Sequence, residues 1–391
     1  MFSTRSAHDP RLNALAVALD RARREGAPLL DLTVANPTRA GIPYAREEIL
    51  RALSDARALE YAPEPFGIAS AREAVARAAG EHGRAIDPSR VMLTASTSEA
   101  YSFLFKLLCD PGDELLVPQP SYPLFEHLAT FESVRLVPYS LAYDGAWHVD
   151  LPTVTRAIGA RTRAILVVSP NNPTGSYLKR DELRALAATG LPIVSDEVFA
   201  RYPLRADATR AESALEVADE ASLVFAMGGL SKLAALPQMK LAWTLVGGRE
   251  ARVVDDALAR LELIADSFLS VSAPVQHALP VLLQTCHVAE NAVRARTRAN
   301  LATLRALQAN AGRAATVLDC EGGWYATIRL PHTKSEEAWA LDLLARDRVY
   351  VHPGHFFDFP SEAYVVVSLL TPEATFADGI ARVLARVDAE T

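Results

Sequence analysis

Short apolar runs rich in β-branched residues alternate with longer stretches of helical period, and this alternation constrains the fold more than any other feature of the chain. The clearest strands are Leu115–Pro118 (L-L-V-P), Ala164–Ser169 (A-I-L-V-V-S), Pro192–Ser195 (P-I-V-S) and Leu223–Met227 (L-V-F-A-M). Between them lie helical stretches at Ser98–Leu108, Lys179–Ala188 and Ala211–Glu220. Strands that alternate with helices imply an α/β fold around a mostly parallel sheet, because parallel neighbours need a crossover connection.

From about His287 the texture changes to a long Ala/Arg/Leu helix, V-A-E-N-A-V-R-A-R-T-R-A-N-L-A-T-L-R-A-L. Beyond it T-V-L-D-C, W-Y-A-T-I-R-L, V-Y-V-H and A-Y-V-V-V-S-L-L alternate with helical stretches, the pattern of a smaller α+β domain. A hinge near His287 is the simplest account, with the residues before about Tyr44 folding back onto the smaller unit. At 391 residues the chain has room for two or three folding units of roughly 100 to 200 residues.

Charge and cysteine content remove several function classes. Lys plus Arg number 40 against 47 Asp plus Glu, a net charge of −7, which argues against a nucleic-acid partner and leaves room for a local basic pocket. Cys109, Cys286 and Cys320 form no C-x-x-C pair, so neither a disulfide framework nor a thiolate metal site is expected. The first residues lack the apolar core of a secretory signal, and no apolar run is long enough to span a bilayer. A soluble, cytoplasmic protein with no membrane partner is expected.

Three loops follow three of the strands: S-P-N-N-P-T-G at 169–175, S-D-E-V-F at 195–199 and M-G-G-L-S-K at 227–232. Strand C-termini converge on the ligand crevice of an open α/β sheet, so Asn172, Asp196 and Lys232 are expected to meet there. One chemistry needs these three types together. A lysine amine forms a Schiff base with an aldehyde cofactor, a carboxylate keeps a pyridine nitrogen protonated, and an amide donates to a phenolate oxygen; the cofactor is pyridoxal 5'-phosphate (PLP). Its phosphate suits the helix start in L-T-A-S-T-S-E-A, where Ser96, Thr97 and Ser98 offer hydroxyls and backbone N–H groups, with an ordinary N-cap as the competing account. Lys240 either adds a cation to that phosphate or is a surface lysine. Tyr122, just past the Leu115–Pro118 strand, either stacks on the ring or packs in the core.

These motifs resemble those of the class I/II aminotransferases, the aspartate-aminotransferase-like branch of the fold-type I PLP enzymes. Y-A-P-E-P-F-G at Tyr61–Gly67 and V-H-P-G at Val351–Gly354 extend the likeness over most of the chain. The resemblance implies Lys232 as the Schiff-base lysine, Asp196 as partner of the ring nitrogen, Asn172 as donor to the ring oxygen and Tyr122 as the stacking aromatic. Thr97, Ser98 and Lys240 would hold the phosphate, and Tyr61 would reach the cofactor of a neighbouring subunit, which implies a homodimer with shared sites. It also implies a large PLP-binding domain at 45–286 and a small domain from 1–44 and 287–391.

Four positions depart from the family pattern. Phe199 stands where a tyrosine often bonds the ring oxygen, Gly229 replaces a serine, and Lys240 replaces an arginine, keeping charge without a bidentate fork. The largest departure is Val366, at the place of the arginine that grips the substrate α-carboxylate; no Arg or Lys occurs from Val349 to Ala381. Either Arg39 in A-N-P-T-R-A-G supplies the clamp, with His352 and His355 as further candidates, or the substrate has no α-carboxylate. Trp324 and Tyr325 line the substrate pocket or belong to the core. The expected activity is transamination in two half-reactions between an amino donor and an oxo acceptor. A lyase, racemase or decarboxylase on the same scaffold and a non-catalytic ligand sensor are the rivals.

Overall fold

The computed structural model of the chain describes residues 2–7, 13–80, 85–310, 314–361 and 363–391, so short pieces of both expected domains lie outside the described residues. The main sheet has eight strands in the spatial order Val91–Thr94, Ala242–Gly247, Val224–Gly229, Ile193–Asp196, Thr162–Val168, Glu114–Gln119, Arg135–Tyr143 and Trp147–Val149. Ala242–Gly247 is antiparallel to both neighbours and Trp147–Val149 to its one; the other pairs are parallel. The remaining strands therefore all end on one edge of the sheet, the edge where Ala242–Gly247 begins.

All four expected strands are present, with ends shifted by one or two residues. Their apolar runs have a direct cause: all four residues of Ile193–Asp196 are buried, as in a strand covered on both faces, and its two polar residues, Ser195 and Asp196, come at the C-terminal end. Two expected helices appear as Thr97–Leu108 and Arg180–Ala187. The helix expected at Ala211–Glu220 is absent; only Ala214–Val217 makes a short 3₁₀ turn. There Ala211 N–H donates to Leu178 O and Ala214 N–H to the Glu197 carboxylate, so long-range partners hold this backbone in place of a helical ladder.

A second, four-stranded antiparallel sheet runs in the order Thr316–Val317, Tyr325–Arg329, Tyr364–Ser368 and His352–Pro353. Leu30–Asp31 pairs in parallel with Val349–Tyr350. Leu15, Leu19 and Leu32 share a core with Leu301 and Leu304 of the long helix His287–Asn310 and with Phe376 and Ile380 of the last helix, Glu373–Ala389. The fold is α/β: a mostly parallel main sheet with helices, accompanied by a smaller sheet.

Candidate active site

Three adjacent parallel strands deliver the three loops side by side. Val168 pairs with Asp196, and Asp196 with Met227, so the chain leaves the sheet at neighbouring points as N-N-P-T-G, S-D-E-V-F and M-G-G-L-S-K. Ser169 N–H donates to Asp196 O at 2.9 Å, and Glu197 N–H to Met227 O at 2.9 Å, which carries the ladder one step past the strands. Tyr122 follows the next strand, Glu114–Gln119.

Lys232 sits in the single helical turn Leu230–Leu233. Its amine lies 5.3 Å from the centroid of the Phe199 ring and 5.0 Å from that of Trp324. Burial between these aromatic walls pushes the amine down to about 8, against the opposing pull of the Asp196 charge. Tyr202 Oη donates to Lys232 O at 2.6 Å and Tyr44 Oη to Ala235 O at 2.8 Å, so two phenols fix the backbone on which the amine is mounted.

This depressed amine carries a stability cost with a defined pH window. Between about pH 8 and 10.5 the unfolded chain holds the proton more tightly than the folded one, so stability rises with pH there and the penalty is at its full size below that window. Lys232→Met should therefore raise the thermal midpoint of the ligand-free protein at pH 7. The gain should shrink as pH approaches 10.5; a gain independent of pH would show that the amine is not depressed.

Asp196 is buried at the strand end. Tyr101 Oη donates to its Oδ2 at 2.8 Å and Val198 N–H to its Oδ1 at 3.1 Å. Burial pushes the carboxyl above its ordinary value, while the two donors and Lys232 pull it back toward the ionised form. Asn172 is also buried, and its Oδ1 has no hydrogen-bond partner among the described residues. Gly175 closes that loop at φ +73°, and an added Cβ would lie 2.5 Å from Cys320 Sγ and 2.7 Å from Gly322 O; only glycine allows this approach. Gly175 O in turn accepts from Gly322 N–H at 2.9 Å.

The segment after Gly322 brings aromatic residues to the lysine. Trp324 is fully buried, edge-on to Phe199 at 5.3 Å and to Tyr202 at 5.2 Å, and its Nε1 has no hydrogen-bond partner among the described residues. Tyr325 is edge-on to Phe199 at 6.2 Å; burial, then the nearby Tyr122, push its hydroxyl up. Phe199 has no hydroxyl to offer and serves instead as one wall of the lysine site.

At the start of helix Thr97–Leu108, Ser96 is the N-cap: its Oγ accepts from Glu99 N–H at 3.2 Å, and Glu99 Oε2 accepts from Ala95 N–H at 2.7 Å. Thr97 and Ser98 form the first helical positions. Ala242 pairs with Thr94 on one side and Gly229 on the other, so Lys240, two residues earlier, enters the sheet edge between this helix start and the Lys232 turn. A side chain on Gly229 would approach Ala242 Cβ to 3.1 Å, which accounts for glycine there.

The chain is similar to known proteins over most of its length. Residues 27–375 match the family model for aminotransferase class I and II. The chain belongs to that family. Mouse tyrosine aminotransferase is 24% identical over 380 residues, 91% of this chain and 80% of that protein. The aspartate/prephenate aminotransferase of Thermus thermophilus is 34% identical over 193 residues, 48% of this chain and 49% of the other. Among solved structures, an alanine aminotransferase from Pyrococcus furiosus superposes with a TM-score of 0.88 at 22% identity, covering all of both chains. A Thermus thermophilus aspartate aminotransferase double mutant gives 0.84 at 25% identity over 99% of each. The chain is a transaminase.

Not every expected residue of this aminotransferase meets at Lys232. Tyr61 is 85% exposed and lines a separate cavity of about 320 Å³ with Gly67, Ala265 and Gln276. Arg39 is exposed at the end of the turn Pro37–Arg39, although Ala40 beside it packs into the cluster of Phe199, Tyr202 and Trp324. Val366 is buried and stands between Thr327 and His352 in the smaller sheet. Thr327 Oγ1 reaches Pro173 O at 3.5 Å, so this face of the sheet looks toward the N-N-P-T-G loop. Burial pushes the His352 ring toward its neutral form, and His355 Nδ1 lies 3.3 Å from Glu336. Sequence reasoning missed Tyr101, Tyr202 and Tyr44. Each is an aromatic in an apolar context, and no local signal separates a phenol that packs from one that holds a functional backbone or carboxylate.

Proposed function

We propose that this transaminase uses pyridoxal phosphate held by Lys232, Asp196, Asn172 and Tyr122, and that it moves an amino group from an amino-acid donor to an oxo-acid acceptor. The observation that carries the reading is the convergence of Asn172, Asp196 and Lys232 from three adjacent parallel strands, with a depressed lysine amine beside a buried carboxylate. The residues fit the cofactor. Asn172 is buried in its loop with no side-chain hydrogen bond to the described residues, which leaves its NH₂ group to donate to a ring oxygen; Ser96 to Ser98 open a helix whose N–H groups suit a phosphate, and Lys240 lies at the same sheet edge.

When bound, pyridoxal phosphate supplies the aldehyde carbon that takes up the amino group and a protonated ring that draws electrons from the reacting carbon. Asp196 would keep a proton on the ring nitrogen through its negative charge. Asn172 would donate to the ring oxygen, Tyr122 would cover the ring face, and Thr97, Ser98 and Lys240 would hold the phosphate. Lys232 would hold the aldehyde covalently until substrate arrives. Lys232 would also be the group placed to move a proton at the reacting carbon, since burial lowers its amine toward neutral pH.

We also propose the domain division at 45–286 and 1–44 with 287–391, which the separate apolar cores of the two sheets support. A homodimer with shared sites is supported by the exposure of Leu59, Tyr61, Leu263 and Phe268, large apolar side chains that a second copy would cover. None of the three cysteines forms a disulfide among the described residues, in keeping with a cytoplasmic setting, and among those residues no helix is long and apolar enough to cross a membrane.

Val366 favours a second reading for the substrate. A buried valine facing Thr327 offers no partner to an α-carboxylate, so either Arg39 grips that group or the substrate is an amine without it. The test is the visible spectrum of the cofactor-loaded protein during addition of α-amino acids and then simple amines, with no acceptor present. Conversion by α-amino acids supports amino-acid transamination, and Arg39→Ala should then raise their KM roughly tenfold or more, the cost of losing a charge-assisted pair. Conversion by simple amines alone selects the second reading, and no conversion by any amine defeats the transaminase assignment.

A further inference from the structure

We propose that Tyr101 is the positioning residue for Asp196: its buried hydroxyl holds the carboxylate in the orientation in which it meets the cofactor ring nitrogen. The inference rests on the pyridoxal-phosphate reading above and adds a residue to it.

Tyr101 is 2% exposed on helix Thr97–Leu108, and its Oη donates to Asp196 Oδ2 at 2.8 Å. A phenol so deeply buried is stable only when its hydroxyl has a partner, and here the partner is the functional carboxylate. Val198 N–H takes the other oxygen at 3.1 Å, so two donors on two oxygens fix the carboxylate plane. A carboxylate has about four acceptor sites, so capacity remains for a ring N–H.

The ring of Tyr101 is itself wedged in place. Phe125 stands edge-on to it at 5.2 Å and Phe105 lies at 6.0 Å. Phe125 is also edge-on to Tyr122 at 5.8 Å, so one phenylalanine seats both the candidate stacking ring and the residue that holds Asp196. Thr97 and Ser98 precede Tyr101 by four and three residues and share its helix face. One helix therefore presents its N-terminal hydroxyls and, a turn later, the hydroxyl that orients Asp196.

The charge balance gives Tyr101 a lasting role. The ionisable groups that act on or are influenced by Asp196 are Tyr101, Lys232, Tyr122 and Glu197, and Lys232 is the one cation among them. Lys232 is also the group that reacts, so its charge is not a constant partner. Tyr101 and Val198 N–H are neutral donors that remain through the whole cycle and favour the ionised carboxylate throughout.

Tyr101→Phe removes the hydroxyl and keeps the ring. The expected result is a kcat loss of roughly 10- to 100-fold with KM little changed, the size of a hydrogen bond to a charged group. Weaker binding of pyridoxal phosphate to the apoprotein, by roughly tenfold, should accompany it. The pH midpoint of the visible band should move upward, because a ring nitrogen that holds its proton less firmly repels a second proton less. In an Asp196→Ala background the same substitution should cost nothing further, since Tyr101 acts through that carboxylate. Equal kcat, cofactor affinity and band midpoint in Tyr101→Phe and wild type, or an undiminished loss in the Asp196→Ala background, would overturn the inference alone. Failure of the wild-type protein to bind pyridoxal phosphate would overturn the underlying reading with it.

Discussion

Replacing Lys232 with alanine should lower transamination by roughly 10⁴-fold or more, the upper end of what a positioned acid–base group supplies, with covalent capture of the cofactor lost as well. The geometry leaves little to substitute for it. The amine is mounted on a one-turn helix whose backbone Tyr202 holds at Lys232 O, and it projects between Phe199 and Trp324. Lys240 is exposed and carried on a backbone with φ 51°, two residues before the strand Ala242–Gly247. Steady-state rates with an amino-acid donor and an oxo-acid acceptor, together with the visible spectrum, provide the check. Near-normal turnover in Lys232→Ala would remove Lys232 from the mechanism.

The second large effect is expected at Asp196. Asp196→Asn keeps the shape of the side chain and removes its charge, so it should lower kcat by roughly 10²- to 10³-fold, as loss of a preorganised electrostatic group does. Tyr101 and Val198 N–H, both donors to a carboxylate, would face an amide in the variant, and one of the two would meet an NH₂ group. Some of the loss would therefore come from a displaced side chain. Measuring kcat for Asp196→Asn and Asp196→Ala separates the two contributions, because alanine leaves no misdirected donor. A variant that retained more than half of the wild-type kcat would show that the carboxylate does not act on the ring.

The main features of the sheet and the site loops were legible because they rest on local chemistry. A strand covered on both faces is mainly apolar, and Ile193 with Val194 and the run Val224 to Met227 read that way from their residues alone. Asn, Pro, Gly and the isolated Asp and Lys at strand ends stand out against those runs. The Ala211–Glu220 helix was misread because its composition is helical while its N–H groups bond Leu178 and Glu197, partners far away in sequence. The reversed strand Ala242–Gly247 was not anticipated either; its direction depends on pairing with Val91–Thr94 and Val224–Gly229, which nothing within the segment encodes.

By itself the sequence determined the fold class, the placement of Asn172, Asp196 and Lys232 at strand ends and the lack of a cation at Val366, since each depends on residue type and on position relative to a strand. Tertiary structure alone decided which phenols matter. Tyr101, Tyr202 and Tyr44 look like core aromatics in the chain, and they acquire their roles only because folding brings their hydroxyls to Asp196 Oδ2, Lys232 O and Ala235 O. The physical reason is that a hydroxyl's contribution lies in its partner, and all three partners are distant in sequence and brought within hydrogen-bond reach by packing.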